Sequence, residues 1–335
     1  MIARRAVLQW SVAAALVPRM GWSAGFAWQN ATLRSLGEAL ASGKTTSRAL
    51  CEAYLARIAA LNPKLNAILE VNPDALSIAD GLDRERAEKK LRGPMHGIPV
   101  VVKDNIDTGD QMETTAGSLA LLGSKAPRDA FVVTALRAAG AVVLAKSNLS
   151  EWANMRSTRS TSGWSARGGQ GRNPYALDRS PLGSSSGSGI AVAADMCPAA
   201  VGTETDGSIV APASAQGLVG LKPTVGLLSR SGIIPISASQ DTPGPMTRTV
   251  EDAAILLGAM VGDDADDPAT RVASRKAEKD YTRFLDRDGL KGARIGVAAK
   301  LMSSMPGIVR LLDAARADLK RLGAVLVDPL KGNIS

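Results

Sequence analysis

The sequence predicts an α/β fold built on a mixed or parallel β-sheet. Two observations lead to this prediction. Short apolar runs typical of strands alternate along the chain with longer segments of helical spacing. The runs at 99–103 and 141–145 are almost continuously apolar, as expected of strands that are buried on both faces. No repeat and no long polar linker interrupts this order.

The predicted elements follow one another with short connections, and Thr45 or Thr46 is a suitable N-cap for the second helix. The helices are predicted at 33–40, 47–61, 73–91, 131–139, 147–155, 190–196, 250–261 and 307–322. The strands are predicted at 66–70, 99–103, 141–145, 294–297 and 324–327. The segment 157–178 is rich in Gly, Ser and Arg, and we expect it to form an ordered loop on the substrate side.

The composition is that of a globular protein, with 45% hydrophobic and 21% charged residues among 335. Aromatic residues make up only 3%, which argues against platforms that stack bases. The net charge is +8, but basic residues are scattered among acidic ones instead of forming one basic face. We therefore expect no nucleic-acid partner.

The chain has a single histidine, His96, in a turn before the strand 99–103. A histidine-dependent serine or cysteine mechanism would have to use it, and a zinc site of several imidazoles is excluded. A structural role is the favoured interpretation of His96. Cys51 and Cys197 form no Cys-x-x-Cys pair, so we expect two buried thiols, with a disulfide as the alternative in an oxidising compartment. No metal or cofactor is predicted.

The N-terminus has the layout of an export signal. Arg4 and Arg5 precede an apolar run, and small residues follow up to Ala27. The arginine pair suggests the twin-arginine route, with cleavage after Ala27. The run is shorter than the ~20 apolar residues that span a bilayer, so no stable membrane anchor is expected once the signal is removed. We predict a signal at 1–27 and a periplasmic or secreted protein; a buried N-terminal helix in a cytoplasmic protein is the alternative.

Two Ser- and Gly-rich loops bracket a small apolar segment between Ser180 and Ala213. Because apolar sequence continues directly from both loops, a flexible linker is not predicted. Lys103 ends the buried strand 99–103. Serine is a poor nucleophile until a base takes its proton, and without a usable histidine a buried lysine is the remaining candidate, since burial lowers its pKa.

The second loop contains Thr205, Asp206, Gly207 and Ser208. Glycine at position 207 permits a tight turn that aims successive backbone N–H groups inward. Such groups form an oxyanion hole for the tetrahedral intermediate of acyl transfer. These four residues are the predicted donors.

Three segments together resemble the amidase signature family. They are Val-Lys-Asp-Asn at 102–105, Pro-Leu-Gly-Ser-Ser-Ser-Gly-Ser at 181–188 and Gly-Thr-Glu-Thr-Asp-Gly-Ser-Ile at 202–209. The resemblance implies a mixed sheet covered by helices, in a single domain over residues 28–335. It also implies that Ser208 is the nucleophile, Ser184 a bridging serine preceded by a cis peptide bond, and Lys103 the base.

Within that family the sequence is similar to bacterial peptide amidases, which remove the C-terminal amide of peptides. The similarity lies in short segments outside the three catalytic motifs, at 150–154, 163–165, 167–170, 173–175 and 177–181. It implies hydrolysis of a peptide amide with release of ammonia.

Several positions depart from the common family pattern. Leu182 and Ser186 stand where many members have glycine, and a bulky Leu182 could restrict the loop that carries Ser184. Asp206 replaces a glycine, as in the peptide-amidase branch, and Val210 replaces a frequent arginine. Family members usually continue well beyond the last residue, so we expect the domain to be incomplete at its C-terminus.

Other interpretations of the sequence remain. A broad-specificity amidase and an inactive truncated remnant are the main alternatives. The amidase subunit of a tRNA-dependent amidotransferase is disfavoured by the export signal. A phosphate-binding protein is weakly supported, because 183–189 lacks the Lys-Ser/Thr ending of a P-loop.

Overall fold

The computed structural model describes residues 27–273, 276–298 and 304–327. The described residues divide into two compact units, with the boundary between residues 277 and 278. The predicted export signal lies outside the described residues, apart from Ala27. Within the part of the chain that is described, no helix combines the length and apolar content that crossing a membrane requires.

The first unit contains a six-stranded sheet whose strands follow the order β1-β3-β2-β6-β8-β7. The strands are β1 (Ile68–Val71), β2 (Pro99–Lys103), β3 (Val142–Ser147), β6 (Ala199–Glu204), β7 (Val219–Gly220) and β8 (Thr242–Thr247), while β4 (Trp164–Ser165) and β5 (Gly169–Gln170) form a separate hairpin. Strands β3, β2 and β6 are parallel, and the outer pairings β1–β3, β6–β8 and β7–β8 are antiparallel. The sheet is therefore mixed, and every residue of β2, β3, β6 and β8 is buried.

Helices pack on this sheet, which confirms the predicted α/β class. The helices of the first unit are α1 (Leu33–Ala41), α2 (Ser47–Leu65), α3 (Ala75–Ala87), α4 (Phe131–Ala138), α5 (Ser186–Ala193), α6 (Val210–Ala215), α7 (Val250–Met260) and α8 (Thr270–Ala273). Thr46, one of the two predicted N-caps, accepts a hydrogen bond from the N–H of Ala49 at 3.0 Å. Thr249 caps α7 in the same way through the N–H of Asp252.

The helix predicted at 147–155 is wrong. Strand β3 continues through Ser147, and only a short 3-10 turn follows at Glu151–Asn154. Trp152, Ala153 and Asn154 have φ of 49°, 52° and 70°, which an α-helix does not accommodate. The N–H of Trp152 instead donates to Ala116 O at 3.0 Å, so a tertiary contact replaces the local helix.

Strand β8 was missed because two prolines interrupt it. The carbonyl of Pro245 accepts from the N–H of Leu221 at 3.0 Å, so Pro243 and Pro245 both face the β7 side of the strand. Strand β7 has only two residues, and little pairing is lost there. The intervening residues keep the pairing with β6 on the other side.

The small helix between the two serine loops also begins earlier than predicted. Helix α5 spans Ser186–Ala193 instead of 190–196, so part of the first loop forms its initial turn. A Cβ at Gly187 would lie 2.3 Å from Asn148 O and 2.4 Å from Ala67 O. Glycine is therefore required for α5 to pack against the loop that follows β3. Asp195, with φ of 60°, ends the helical path after Ala194.

The start of the described chain is tied to the core by buried polar groups. Arg248 donates to Ala31 O at 2.7 Å, and Asp252 accepts from the N–H of Leu33 at 2.8 Å. Trp28 packs edge-on against Tyr54, with ring centroids 5.1 Å apart. Segment 28–33 is thus an integral part of the first unit.

Both cysteines are free and buried in the first unit, as predicted. Burial raises the pKa of each thiol, Cys51 and Cys197, to about 12.

The second unit contains strand β9 (Arg294–Gly296), helix α9 (Pro306–Arg321) and strand β10 (Val325–Val327). The two strands pair in parallel, with Val325 opposite Arg294. The prediction of a strand, a helix and a strand in this region is confirmed. The prediction of one domain over 28–335 stays a prediction.

Candidate active site

Lys103 lies at the carboxyl end of β2, and its side chain is completely buried. Its Nζ lies 2.8 Å from Ser184 Oγ, 2.9 Å from Thr203 Oγ1 and 3.3 Å from Thr203 O. The pairing of β2 with β6 brings Thr203 to this end of the sheet. One neighbour from a loop and one from a strand therefore fix the position of the amine.

The surroundings of Lys103 favour its neutral form. Burial lowers its pKa to about 7, because the ammonium loses its hydration. The carboxylates of Glu204 and Asp241 oppose the shift and keep the pKa from falling further. The amine is therefore available as a base near neutral pH, as the sequence predicted.

Ser184 is fully buried and follows a cis peptide bond at Gly183–Ser184. Its carbonyl accepts from the N–H of Ser150 at 3.0 Å. The next residue, Ser185, donates its N–H to Ser208 O at 3.1 Å. This main-chain bond holds the two serine loops together and brings Ser208 beside Ser184.

The hydroxyl of Ser185 connects the same loop to β6. Its Oγ donates to Thr203 O at 3.0 Å and accepts from the N–H of Thr203 at 3.1 Å. Thr203 is therefore held by Ser185, contacts Lys103, and accepts from Asn105 Nδ2 at 3.0 Å. It is the residue through which β6, the first serine loop and the end of β2 meet.

The turn before Ser208 is built around Gly207. Gly207 has φ of 74°, the left-handed region that favours glycine. The N–H groups of Asp206, Gly207 and Ser208 donate to no acceptor among the described residues. Ser208 is 9% exposed, so most of the residue is covered.

Two carboxylates hold this turn in place. Glu204 Oε2 accepts from the N–H groups of Ile209 and Val210, at 2.7 and 2.9 Å, and so joins the two ends of the turn. Asp241 accepts from the Thr205 hydroxyl at 2.5 Å. The second oxygen of Asp241 accepts from two N–H groups of the 236–237 segment.

The loop 157–178 is anchored to the strand ends by Arg167. Its guanidinium lies 2.7 Å from Glu70, 3.2 Å from Glu113 and 3.4 Å from Asp104. Asp104 directly follows Lys103, is completely buried, and has a pKa that burial raises. Arg167 therefore connects this loop to the segment that carries the candidate base.

Two cavities adjoin the site, with volumes of about 260 and about 310 Å³. They share a wall made of Asn105 and the segment 234–236. The smaller extends along Thr203 to Thr205, and the larger is lined by mainly apolar residues, among them Leu149 and Trp152. Neither cavity is lined by Lys103, Ser184 or Ser208. Asn105 and Thr203 connect the smaller cavity to the buried amine.

The sequence model of the Amidase family matches residues 49–333. This chain belongs to the amidase family. The match covers most of the chain, including all three segments on which the family resemblance was based.

Individual amidases are also similar in sequence and structure. The native peptide amidase of Stenotrophomonas maltophilia has 55% sequence identity and a TM-score of 0.85, over 89% of this chain and 61% of that one. An amidase family protein of Bacillus anthracis has 44% sequence identity and a TM-score of 0.86, over 91% of this chain and 61% of that one. A probable amidase of Arabidopsis thaliana is 50% identical over 92% of this chain and 59% of its own length. The chain thus spans about three fifths of the length of these relatives.

The two departures from the amidase pattern near Ser184 are accommodated by the loop. Leu182 adopts φ of 53° and leaves 40% of its surface exposed, so its side chain does not fill the site. The Ser186 hydroxyl donates to Leu182 O. The hydroxyl that replaces a family glycine therefore supports the loop that carries Ser184.

His96 takes no part in this arrangement. Its Nε2 lies 2.9 Å from Leu82 O, and its Nδ1 accepts from the N–H of Arg92. These contacts fasten the turn before β2, in agreement with the predicted structural role. Among the described residues no group of three or more His, Cys, Asp or Glu side chains could hold a metal ion.

Sequence reasoning missed the neighbours that complete the site. Thr203 and Asn105 lie inside the segments that carry the family resemblance, but only Lys103, Ser184 and the turn 205–208 received roles. Two polar residues, Asp104 and Asn105, follow the buried strand that ends in Lys103, and this was the available indication for Asn105. The contact of Thr203 with Lys103 depends on the strand order, which the sequence does not reveal.

Proposed function

We propose that this chain hydrolyses carboxamides, and in particular the C-terminal amide of peptides, with release of ammonia. The observation that carries the proposal is the contact of 2.8 Å between Lys103 Nζ and Ser184 Oγ in a buried site. Ser208 is held beside this pair by the main-chain bond to Ser185. A neutral amine, a bridging hydroxyl and a second, nucleophilic hydroxyl are the groups that acyl transfer without histidine requires.

In the proposed reaction Ser208 Oγ attacks the carbonyl carbon of the amide. Its proton passes to Ser184 Oγ, while the Ser184 proton passes to the neutral Nζ of Lys103. The negative charge that develops on the carbonyl oxygen is stabilised by backbone N–H groups of Thr205, Asp206, Gly207 and Ser208. One such donor is typically worth about 3 kcal/mol of the barrier.

The tetrahedral intermediate then breaks its C–N bond. The proton held by Lys103 returns through Ser184 to the nitrogen, which leaves as ammonia. The acyl group remains esterified to Ser208 until a water molecule, deprotonated by the same pair, attacks it. The products are a carboxylic acid and the original enzyme.

Two observations support a peptide amide as the substrate. A solved peptide amidase shares 55% sequence identity with this chain. The larger cavity, beside Leu149 and Trp152, offers an apolar surface for an amino-acid side chain. Export through the N-terminal segment also suits an enzyme that meets peptides outside the cytoplasm, and it stays a prediction from the sequence.

The test is ammonia release from a panel of amidated peptides, with mass spectrometry of the products. We expect conversion of the terminal amide to the acid, and loss of this activity in Ser208→Ala, because that variant lacks the proposed nucleophile. Ser214→Ala is the matched control, since Ser214 is exposed on α6 and lies outside the site.

The panel also separates the alternatives. Equal turnover of simple carboxamides and peptide amides would indicate a broad-specificity amidase. Activity retained in Ser208→Ala would refute the nucleophile. A protein with a cooperative thermal transition but no activity on any amide would favour the non-catalytic interpretation.

A further inference from the structure

The side-chain amide of Asn105 is buried, and one of its two polar atoms has no hydrogen-bond partner among the described residues. Its side chain is 4% exposed, and Nδ2 donates to Thr203 Oγ1 at 3.0 Å. Oδ1 accepts no hydrogen bond from any described residue. Leaving a buried acceptor without a donor is costly, so such an atom in a native protein calls for an explanation.

The position of Asn105 points to a ligand. It lines both cavities and lies on the wall that separates them. Its main-chain carbonyl accepts from the N–H of Ile234 at 2.9 Å, which fixes the residue to that wall. With Nδ2 on Thr203, Oδ1 is the amide atom left without a partner; it is covered in this structure, so a ligand in the cavities contacts it only by displacing part of the wall.

A peptide amide carries two kinds of N–H group. The terminal –NH₂ must lie at the serines, because its nitrogen leaves with a proton from that pair. Asn105 is separated from Ser184 by Thr203 and Lys103, along three successive hydrogen bonds. It is therefore better placed for the main-chain N–H of the residue that bears the amide than for the leaving nitrogen.

We infer that Asn105 is a specificity-determining residue whose Oδ1 accepts the main-chain N–H of the residue carrying the substrate's carboxamide. The inference rests on the proposed function. It makes the substrate class more specific: an N-acylated amino-acid amide supplies this donor, whereas a simple alkyl carboxamide does not. Recognition of one N–H group would thus separate peptide amides from other amides.

The experiment compares two ligands that differ only at this N–H. One is N-acetyl-leucinamide, and the other has an ester oxygen in place of its N–H. Their Kd values are measured by calorimetry with Ser208→Ala protein, which leaves both ligands intact. The N–H ligand should bind at least about tenfold more tightly, because the ester oxygen leaves Oδ1 unpaired.

The same pair is then measured with Ser208→Ala/Asn105→Ala. Loss of the contact with Thr203 affects both ligands alike, so the ratio of the two Kd values reports only the N–H contact. The ratio should fall to about one. The control Asn173→Ala, at an asparagine that is 6% exposed and bonded through both amide atoms, should keep the ratio even if it lowers stability.

Equal Kd values in the Asn105-containing protein, a preference that survives Asn105→Ala, or no binding of either ligand would each overturn the inference. Ammonia release by the unmodified protein is a separate readout. If the preference is lost as expected but no ammonia is released, the proposed reaction fails while the role of Asn105 stands.

Discussion

At the scale of single residues, Lys103 determines when the proposed chemistry can operate. The amine takes up a proton only in its neutral form, and burial places its pKa at about 7. The amine contacts Ser184, the hydroxyl from which it would take the proton. Activity should therefore follow the titration of this one group.

We expect kcat/KM for amide hydrolysis to rise with pH through about 7 and to level above it, since the ammonium is no base. The measurement is the pH profile of ammonia release. In Asp241→Asn the rise should move to lower pH, because the Asp241 carboxylate favours the ammonium. If the profile of that variant is unchanged, a group other than Lys103 controls it.

The residues of the site differ in how far the sequence revealed them. Lys103, Ser184 and Ser208 lie in three short segments with unusual composition, and the structure brings them together. Thr203 and Asn105 are ordinary polar residues in the same segments. Their importance arises from contacts across the sheet, which depend on strand order and register and not on local sequence.

At the scale of elements, α5 is the support of the first serine loop. It packs against β2, β3, β6 and β8, and all residues from 186 to 192 are buried. Ser184 and Ser185 immediately precede its first turn. A displacement of the helix would consequently move the bridging serine.

Gly187→Ala should destabilise the first unit by about 1–3 kcal/mol, because the new methyl group would overlap two backbone oxygens that cannot move independently. Ammonia release should fall as well. Gly37 lies in α1 with open space around it, so Gly37→Ala should instead stabilise the first unit by about 0.5–1 kcal/mol. Urea unfolding measures both. If both substitutions changed the free energy of unfolding equally, α5 could move away from the neighbouring backbone at little cost.

Elements with a clear apolar pattern were predicted well. The two failures have a common cause, because both segments are shaped by contacts with distant parts of the chain. Strand β2 was predicted with its observed bounds, since its apolar run is bounded by turn residues. Strand β8 was missed because prolines normally exclude a central strand. Here both prolines face the short strand β7, where little pairing is lost. The helix predicted at 147–155 is replaced by a turn in which the N–H of Trp152 donates to Ala116 O, 36 residues earlier in the sequence.

At the scale of the whole molecule, two completely buried lysines make folding depend on pH. Besides Lys103, burial lowers the pKa of Lys146 to about 8, although its amine donates to Ile106 O and Thr114 Oγ1. Both lysines have a pKa of 10.5 before such shifts, so above pH 7 the unfolded chain binds more protons than the folded one. Stability therefore rises with pH in this range.

The free energy of unfolding should rise from about pH 7 to about pH 9 and then level. Each lysine contributes up to about 1.4 kcal/mol per pH unit. Above pH 9 the unfolded thiols of Cys51 and Cys197 lose protons that the folded protein keeps, which opposes the lysines. Urea titrations at several pH values measure this by tryptophan fluorescence, since all five tryptophans precede residue 278.

Lys103→Met provides the control for this dependence. The variant lacks the amine with the lower pKa, so about two thirds of the rise between pH 7 and 9 should disappear. An unchanged slope would mean that Lys103 keeps its ordinary pKa in the folded protein.

The burial of both cysteines also has a practical consequence for chemical labelling. Each thiol is 0% exposed and held in its unreactive protonated form, so a maleimide or iodoacetamide dye can reach it only when the surrounding structure opens. The rate of labelling then reports how often the first unit opens. A cysteine introduced on the surface would react long before either native thiol, which gives a single attachment point without removing any natural residue.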